Sequence, residues 1–213
     1  MKAFGLWTFA SIIILLSGCA SFQAATNVSS GRQAYLAGDN EAAVSYFRTA
    51  AQKDPNYAYG AALRQGVWSY VGRGEYATGR LPQAREALER ALAANRGEDV
   101  ARLYLGLTLA RAGDQKTGLK EIEGGLKGIH GWIEYVNQAH RFSFGRFWDP
   151  TREIRSAIEG DLAMISGRDL DWQKLIANGE WIGKRIEVEI DRAAQDESRE
   201  LSRQSEGGSG DHP

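Results

Sequence analysis

The sequence contains a single cysteine, four prolines and three histidines among its 213 residues. One cysteine cannot form an intrachain disulfide or a cysteine-rich metal site, and three histidines offer few ligands for other metal chemistry. The 27 acidic residues nearly balance the 26 lysines and arginines, so the net charge of −1 gives no general electrostatic attraction to nucleic acid. An apolar content of 43% is ordinary for a globular protein and excludes wholesale disorder.

The one cysteine lies directly after an apolar amino-terminal segment. Lys2 precedes an apolar stretch over residues 3–16, and Ser17 and Gly18 separate that stretch from Cys19. The stretch is about 14 residues long, whereas a membrane-spanning helix needs about 20. A basic start, an apolar stretch and small residues in this order predict an export signal over residues 1–18.

The residues Leu16-Ser17-Gly18-Cys19 resemble the lipobox of bacterial lipoproteins. The resemblance implies cleavage before Cys19 and acylation of its thiol and of the new amino terminus, and more than one acyl chain gives stable anchoring. Gram-negative lipoproteins that stay in the inner membrane commonly have Asp at the next position. Ala20 therefore implies the outer membrane, with the protein facing the periplasm. The alternative is a plain secreted protein whose cysteine lies near the cleavage site by chance.

The 25 glycines are partly arranged in a repeat. Two glycines seven residues apart occur three times, as Gly31 and Gly38, Gly72 and Gly79, and Gly106 and Gly113. After each second glycine, a small residue follows at offset five, a large apolar residue at offset nine and a small residue at offset twelve. These residues are Ala43, Phe47 and Ala50 in the first copy, Ala84, Leu88 and Ala91 in the second, and Gly118, Ile122 and Gly125 in the third. We call the residues that share an offset a column. The first copy is longer than the second by about seven residues, which we place within residues 56–65.

The spacing of these columns places them on one face of a helix, because offsets of five, nine and twelve differ by four and three. Alternating small and large residues let a neighbouring helix approach closely. The second glycine of each pair is predicted to end the preceding helix in the left-handed conformation. The first glycine lies inside that helix, where it costs about 1 kcal/mol relative to alanine, and close helix contact would justify this cost.

This pattern resembles the tetratricopeptide repeat, a helix–turn–helix unit of 34 residues. The third copy matches best, with Leu105-Gly106-x-x-Leu109 before Gly113-Asp114. The first copy departs from the pattern, because Asn27 and Ser30 stand where an aromatic residue and a leucine are usual. The resemblance implies an all-α fold, a right-handed helical solenoid of about three repeats. The lipidated amino terminus and the repeats cover residues 19–132.

The carboxy-terminal part is predicted to be helical but does not match the repeat columns. A repeat array exposes an apolar face at its end, and residues 133–203 are predicted to form the helical region that caps it. We expect a helix over residues 129–140, a helix start at Asp149-Pro150, helix ends at Gly167 and Gly179, and a last helix from Glu180. Residues 204–213 are polar and predict a disordered tail.

The resemblance also implies a partner-binding groove, because the first helix of each repeat lines the concave surface in this family. The face opposite the packing positions carries Arg32, Tyr35, Ser69, Arg73, Tyr76, Leu103, Leu107 and Arg111. Arginine and tyrosine are favoured at interfaces, and arginine binds carboxylates with two parallel hydrogen bonds. We therefore predict an extended ligand segment with acidic or carboxyl groups. The alternative is a solvated face whose arginines pair with nearby glutamates.

Aromatic residues are dense just after the repeats. The residues singled out there are Trp132, Phe144, Phe147 and Trp148. Two interpretations stay open at this point. The aromatic side chains form a core that seals the end of the array, or they form a docking patch for a partner or for the lipid surface.

The sequence shows no arrangement typical of a catalytic site. It contains no His-Glu-x-x-His run, no serine-centred nucleophile turn and no phosphate-binding glycine loop. His130, His140 and His212 fall on different predicted elements. We therefore predict a protein that is not an enzyme and that uses no metal and no cofactor.

These observations predict an outer-membrane-anchored periplasmic scaffold or adaptor that binds another envelope protein, in assembly, secretion or cell-wall machinery, and no nucleic acid. The alternative is a lipoprotein that acts on or binds peptidoglycan or another glycan. Its site would lie in the carboxy-terminal half and use paired carboxylates, such as Glu134 with Glu153 or Asp161. A third option is a purely structural oligomer. The sequence leaves the partner and the oligomeric state open.

Overall fold

The computed structural model describes the backbone of residues 5–207 and the side chains of residues 20–203. The chain divides into two compact units, Met1–Ala101 and Arg102–Pro213. This division falls ahead of the predicted boundary between repeats and capping region at residue 132. The first four residues of the predicted signal, the side chain of Cys19 and residues 208–213 of the predicted tail lie outside the described parts.

The first unit is built from helices and one short hairpin. Its elements are α1 (Gly5–Ala37), α2 (Asn40–Lys53), β1 (Ala58–Tyr59), β2 (Gln65–Gly66), α3 (Val67–Ala77), α4 (Leu81–Ala94) and the start of α5 (Asp99–Arg111). Helix α2 packs against α1 and α3, and α3 packs against α4. The strands are antiparallel, with Ala58 opposite Gly66 and Tyr59 opposite Gln65.

The core of the first unit is centred on large side chains from three helices. Val28 of α1, Phe47 of α2 and Tyr70 of α3 are each less than 2% exposed. The rings of Phe47 and Tyr70 lie 5.3 Å apart. Each such buried side chain contributes about 1.5–3 kcal/mol relative to an exposed one. Tyr57 and Tyr59 of the hairpin segment pack against the same core and are partly buried.

The second unit contains the rest of α5 and three long helices. They are α6 (Gln115–Ala139), α7 (Glu153–Ser166) and α8 (Trp172–Gly207), and a short 3₁₀ helix over Phe144–Phe147 lies between α6 and α7. Buried isoleucines recur at helical spacing, for example Ile154 and Ile158 on α7 and Ile182 and Ile186 on α8. The fold class is therefore all-α, as the sequence predicted.

The second glycine of each repeated pair lies just after a helix end, as predicted. Gly38, Gly79 and Gly113 have φ angles of 87°, 78° and 100°, which is the left-handed region that favours glycine. After two of them an aspartate caps the next helix. Asp39 accepts a hydrogen bond from the Ala42 N–H, and Asp114 accepts one from the Thr117 N–H.

The first glycine of each pair lies inside a helix and allows close contact with the next helix, which confirms the prediction made for these glycines. A Cβ atom added at Gly31 would lie 2.5 Å from Phe47, and one added at Gly72 would lie 2.4 Å from Leu88. At Gly106 it would lie 2.4 Å from the backbone nitrogen of Ile122. Phe47, Leu88 and Ile122 are the large residues of the offset-nine column, so the three helix pairs α1/α2, α3/α4 and α5/α6 use the same contact.

Two predicted helix breaks are wrong. The second helix of the third copy and the predicted helix over residues 129–140 form one helix, α6. Gly179 does not end a helix, because α8 runs without interruption over 36 residues. A Cβ at Gly179 would lie 3.0 Å from Leu107, so this glycine makes room for α5. Helix α8 also includes residues 204–207 of the predicted tail. Within the described residues, no helix combines the length and the hydropathy that a bilayer crossing requires.

Candidate functional site

The predicted groove face is mostly buried, and this corrects the prediction that it is open to a partner. Seven of its eight residues are less than 9% exposed, namely Arg32, Tyr35, Ser69, Arg73, Tyr76, Leu103 and Leu107. Arg111 alone of the eight is exposed, and its guanidinium lies 3.8 Å from the carboxylate of Glu180. A side chain that is buried within the folded chain cannot contact a partner on an open surface.

The residues inserted between the first two copies contact the two buried arginines of this face. They form the β1–β2 hairpin, and its side chains occupy the arginine face. Arg32 donates a hydrogen bond of 2.8 Å to the Tyr59 hydroxyl and lies 4.4 Å above the centre of the Tyr59 ring. Arg73 donates one of 2.8 Å to Gln65. The sequence located the insertion but did not reveal that it covers this face. The alternation of Tyr57 and Tyr59 about Ala58, typical of a strand, was the one signal for a hairpin.

A buried carboxylate, Glu98, completes this polar region and was missed at the sequence level. One of its oxygens accepts a hydrogen bond of 3.0 Å from the Gly66 N–H, at the start of α3, where no side chain of α3 itself caps the helix. Burial raises the pKa of Glu98 to about 7, and the Ser69 hydroxyl, the Gly66 N–H and Arg73 oppose this rise. Glu98 therefore changes charge near neutral pH while it holds the α3 terminus.

On a different face of α3, an open trough lies between α2 and α4. The trough has a volume of about 190 Å³, and Trp68 and Val71 are among the α3 residues that line it. The trough is lined by Arg48 of α2, by Trp68, Val71 and Glu75 of α3, and by Gln83, Glu86, Ala87 and Arg90 of α4. The trough face lies about 130° around α3 from the predicted groove face, at about 100° per residue. We call this surface the α2/α4 trough.

Glu75 ties one end of the trough together. Its side chain is 1% exposed, and it accepts hydrogen bonds of 2.6 Å from the Nε atoms of both Arg48 and Arg80. Arg80 also donates to Glu41 over 2.9 Å, and a second hollow beside it is lined by α2 residues that include Arg48 and Glu41. Two guanidinium groups thus compensate the buried charge of Glu75, which fixes the positions of α2 and the α3–α4 turn.

Arg90 and Trp68 form the part of the trough that can receive a ligand. The guanidinium carbon of Arg90 lies 3.7 Å from the centre of the Trp68 ring, close enough for a cation–π contact. Within residues 20–203, Arg90 has no carboxylate at ion-pair distance, so its N–H groups point to no internal acid. A guanidinium stacked in this way keeps its hydrogen-bonding edge for a carboxylate. Neither residue was singled out as a site residue from the sequence, so this pair was missed.

In the second unit, the predicted aromatic patch has one buried residue, Trp148, and three partly buried ones, Trp132, Phe144 and Phe147. Trp148 is 3% exposed and packs edge-on against Trp132, with 4.6 Å between ring centroids. Phe144 stacks on His140 at 4.4 Å, and Phe147 lies beneath Arg146. The docking interpretation is therefore wrong for Trp148, because its ring is part of the core.

The exposed aromatic residues of this region are two others. Phe142 is 84% exposed and Tyr135 is 63% exposed.

The carboxylates that the glycan alternative would pair are bound to different partners. Glu134 accepts a hydrogen bond of 2.7 Å from Arg155, which lowers the pKa of Glu134. Glu153 pairs with Arg185 at 3.3 Å. Asp161 is fully buried and accepts 2.7 Å from Asn178, and burial raises the pKa of Asp161. Across the described residues, no cluster of three or more His, Cys, Asp or Glu side chains is placed to hold a metal ion.

In comparisons with known proteins, no family model matches this chain, and no curated protein and no solved structure matches it.

Proposed function

We propose that this chain is a lipid-anchored adaptor on the periplasmic side of a Gram-negative outer membrane, with a body of tetratricopeptide type that binds another envelope protein. The observation that carries the proposal is the α2/α4 trough with its Arg90–Trp68 pair. This pair offers a cation without an internal acid at ion-pair distance beside a partly buried aromatic ring. The partner in this proposal is an extended segment that carries a carboxylate next to an apolar residue.

The three glycine-based helix contacts support the tetratricopeptide part of the proposal. In each copy the first glycine lies against the large residue at offset nine, and the second glycine has a positive φ angle. Both features are what a repeat of paired helices requires, because a small residue allows close packing and a left-handed residue closes the turn.

The trough suits a protein ligand for two physical reasons. Tryptophan and arginine are the residues most enriched among those that dominate interface energies, because they combine contact area with directed hydrogen bonds. The buried Glu75 and its two arginines also hold one end of the surface in place before a ligand arrives, which lowers the entropy cost of binding.

The lipobox-like residues before Cys19 support the anchoring part of the proposal. A lipid anchor confines the trough to a thin layer at the membrane. Its effective concentration toward other membrane-bound proteins then rises without any new contact. In this proposal the acyl chains supply location and the trough supplies recognition.

Photo-crosslinking in intact cells tests the adaptor proposal. A photoreactive amino acid at position 83, on the rim of the trough, should give one defined protein adduct. Arg90→Glu should weaken its formation at least about tenfold, because reversing the charge repels the ligand carboxylate and removes the cation–π contact. Arg85→Glu is the matched control, because Arg85 lies on the same helix, outside the trough, and pairs with Glu89.

The two variants make the outcome decisive. If Arg90→Glu and Arg85→Glu give the same adduct yield as the unchanged chain, the trough is not the recognition surface. Circular dichroism of both variants shows whether the helix content is intact, so a loss of folding is not mistaken for a loss of binding.

A further inference from the structure

The second unit carries an exposed aromatic turn at the end of α6. The chain leaves α6 at Ala139 and turns through residues 140–143 before the 3₁₀ helix. Phe142 in this turn has 84% of its surface exposed, and Tyr135 on the last part of α6 has 63% exposed. A phenylalanine exposed to this degree buries little of its apolar surface in the folded chain, so most of that surface is accessible to an external contact.

The charge around this turn has one sign. The fourteen residues from 135 to 148 contain five Phe, Tyr or Trp residues, two arginines and a histidine, and no aspartate or glutamate. The guanidinium of Arg141 lies 4.7 Å from the Phe142 ring centre, and within the described side chains Arg141 forms no ion pair. Arg146 is different, because it pairs with Glu200 at 3.1 Å. The uncompensated positive charge is therefore beside the exposed ring.

Rigid packing underneath supports the exposed residues. The His140 ring is stacked on the Phe144 ring. It lies nearly perpendicular to the Tyr135 ring, with 6.2 Å between the ring centroids. Gly145 lies so close to α6 that an added Cβ would be 2.1 Å from the Val136 carbonyl oxygen. The turn is thus fixed against α6, and Phe142 is held outward.

We propose that this aromatic turn, Phe142 with Arg141 and Tyr135, inserts into the headgroup region of an anionic phospholipid bilayer. Aromatic side chains with a polar or charged neighbour prefer the membrane–water interface. Basic residues add attraction to anionic lipid, and no carboxylate in the segment opposes it. A protein partner is the competing occupant, and it is one of the outcomes that the experiment distinguishes.

This inference rests on the proposed function only in expecting a nearby membrane, and its test is independent of the anchor. The purified full chain, with its native amino terminus, carries a photoreactive phenylalanine analogue at position 142. It is mixed with vesicles of phosphatidylethanolamine and phosphatidylglycerol, or with vesicles of phosphatidylcholine. Mass spectrometry of the products distinguishes lipid adducts from protein adducts. The same analogue at position 201, where Leu201 is 60% exposed, is the positional control.

The inference predicts a lipid adduct at position 142 with the anionic vesicles and little at position 201. Arg141→Glu should lower the yield at position 142 about tenfold, since each basic residue at an anionic surface contributes about 1 kcal/mol and the reversal adds repulsion. Replacing the anionic vesicles by phosphatidylcholine vesicles should lower the yield of the unchanged chain at position 142 by the same factor.

Three results would overturn the inference. These are no lipid adduct at position 142, equal adducts at positions 142 and 201, or equal yields from the two vesicle compositions. A discrete protein adduct from position 142 in intact cells, without a lipid adduct, would assign the turn to a protein partner instead. Sedimentation of the chain with the phosphatidylcholine vesicles reports the lipid anchor, because the turn is expected to bind these vesicles only weakly. Failure of the anchor and failure of the turn therefore give different results.

Discussion

At Gly106 the backbone of α6 approaches α5 so closely that a methyl group has no room. An added Cβ would lie 2.4 Å from the Ile122 nitrogen and 2.7 Å from the Gly118 carbonyl oxygen, and both neighbours are backbone atoms that cannot rotate away. Gly131 on α6 has no such neighbour within 4 Å. The two glycines therefore differ in what they contribute, although both lie inside helices.

Gly106→Ala should lower the free energy of unfolding by about 1–3 kcal/mol, because the helices must separate to admit the methyl group. Gly131→Ala, the matched control in the same unit, should raise it by about 0.5–1 kcal/mol through helix propensity. Urea denaturation followed by circular dichroism measures both. Equal effects of the two substitutions would show that the close contact at Gly106 has no energetic role.

Glu98 predicts a pH dependence of stability. Its pKa is about 7 in the folded chain, against an ordinary value of 4.5. Between these values the folded chain binds more protons than the unfolded chain, so the free energy of unfolding falls as pH rises through this window. The loss is at most about 3–4 kcal/mol, because each pKa unit corresponds to about 1.4 kcal/mol.

Glu98→Gln should remove this loss, since glutamine cannot ionise but can still accept the hydrogen bond from the Gly66 N–H. Denaturation curves from pH 4.5 to 8 should therefore show the variant gaining on the unchanged chain as pH rises. Ser69→Ala keeps the carboxylate and should keep the decline. Parallel curves for Glu98→Gln and the unchanged chain would contradict a titration of Glu98 in this range.

At the scale of elements, the β1–β2 hairpin has an importance beyond its four paired residues. Tyr59 bonds Arg32 through its hydroxyl, lies under the same guanidinium, and meets the Tyr70 ring edge-on at 6.3 Å. The Tyr59 side chain thus accepts a hydrogen bond from the buried guanidinium of Arg32 on α1 and packs against Tyr70 on α3. Without it, the buried guanidinium of Arg32 would lose a hydrogen-bond acceptor and a ring.

Tyr59→Phe and Tyr59→Ala separate these contributions. The phenylalanine variant keeps the ring and loses the hydroxyl acceptor, so its free energy of unfolding should fall by about 1 kcal/mol. The alanine variant also loses the ring and should fall by about 3 kcal/mol. Chemical denaturation measures both values. If the two variants are equally stable, the ring does not support Arg32.

A glycine can end a helix, or it can lie inside a helix and make room for a neighbouring one. The sequence predicted helix ends correctly only where the glycine has the first of these roles. Gly38, Gly79 and Gly113 have left-handed angles, and the sequence located these turns correctly. Gly179 was read in the same way, yet it is a packing glycine inside α8. Composition alone cannot distinguish these roles, because the distinction depends on which side chain of another helix lies opposite.

The candidate site shows the same limit. Helical periodicity correctly placed Arg32 and Arg73 on a face away from the packing glycines, but periodicity says nothing about what covers a face. The insertion over residues 56–65 supplied that cover, and Gln65 and Tyr59 reach the arginines through contacts distant in sequence. The contact between Arg90 and Trp68 depends on the approach of α3 and α4, which single-helix patterns do not describe.

At the scale of the whole molecule, the proposed anchor predicts where the chain resides. Cys19→Ser should abolish incorporation of labelled palmitate, because the serine hydroxyl offers no thiol for acylation. Ala20→Asp should keep the palmitate and move the chain from the outer to the inner membrane fraction of a sucrose gradient. Palmitate labelling that persists in Cys19→Ser would remove the anchor, and an unchanged gradient position of Ala20→Asp would remove the outer-membrane assignment.

The hairpin also bears on how chains of this design could diversify. In this molecule a short insertion covers, from within, the face that the sequence suggested for an external peptide, and Tyr59 and Gln65 take the contacts with Arg32 and Arg73. Loss of those few residues would remove the Tyr59 and Gln65 contacts of Arg32 and Arg73 and uncover both guanidinium groups. A single deletion would thus turn a closed polar face into an open cationic one.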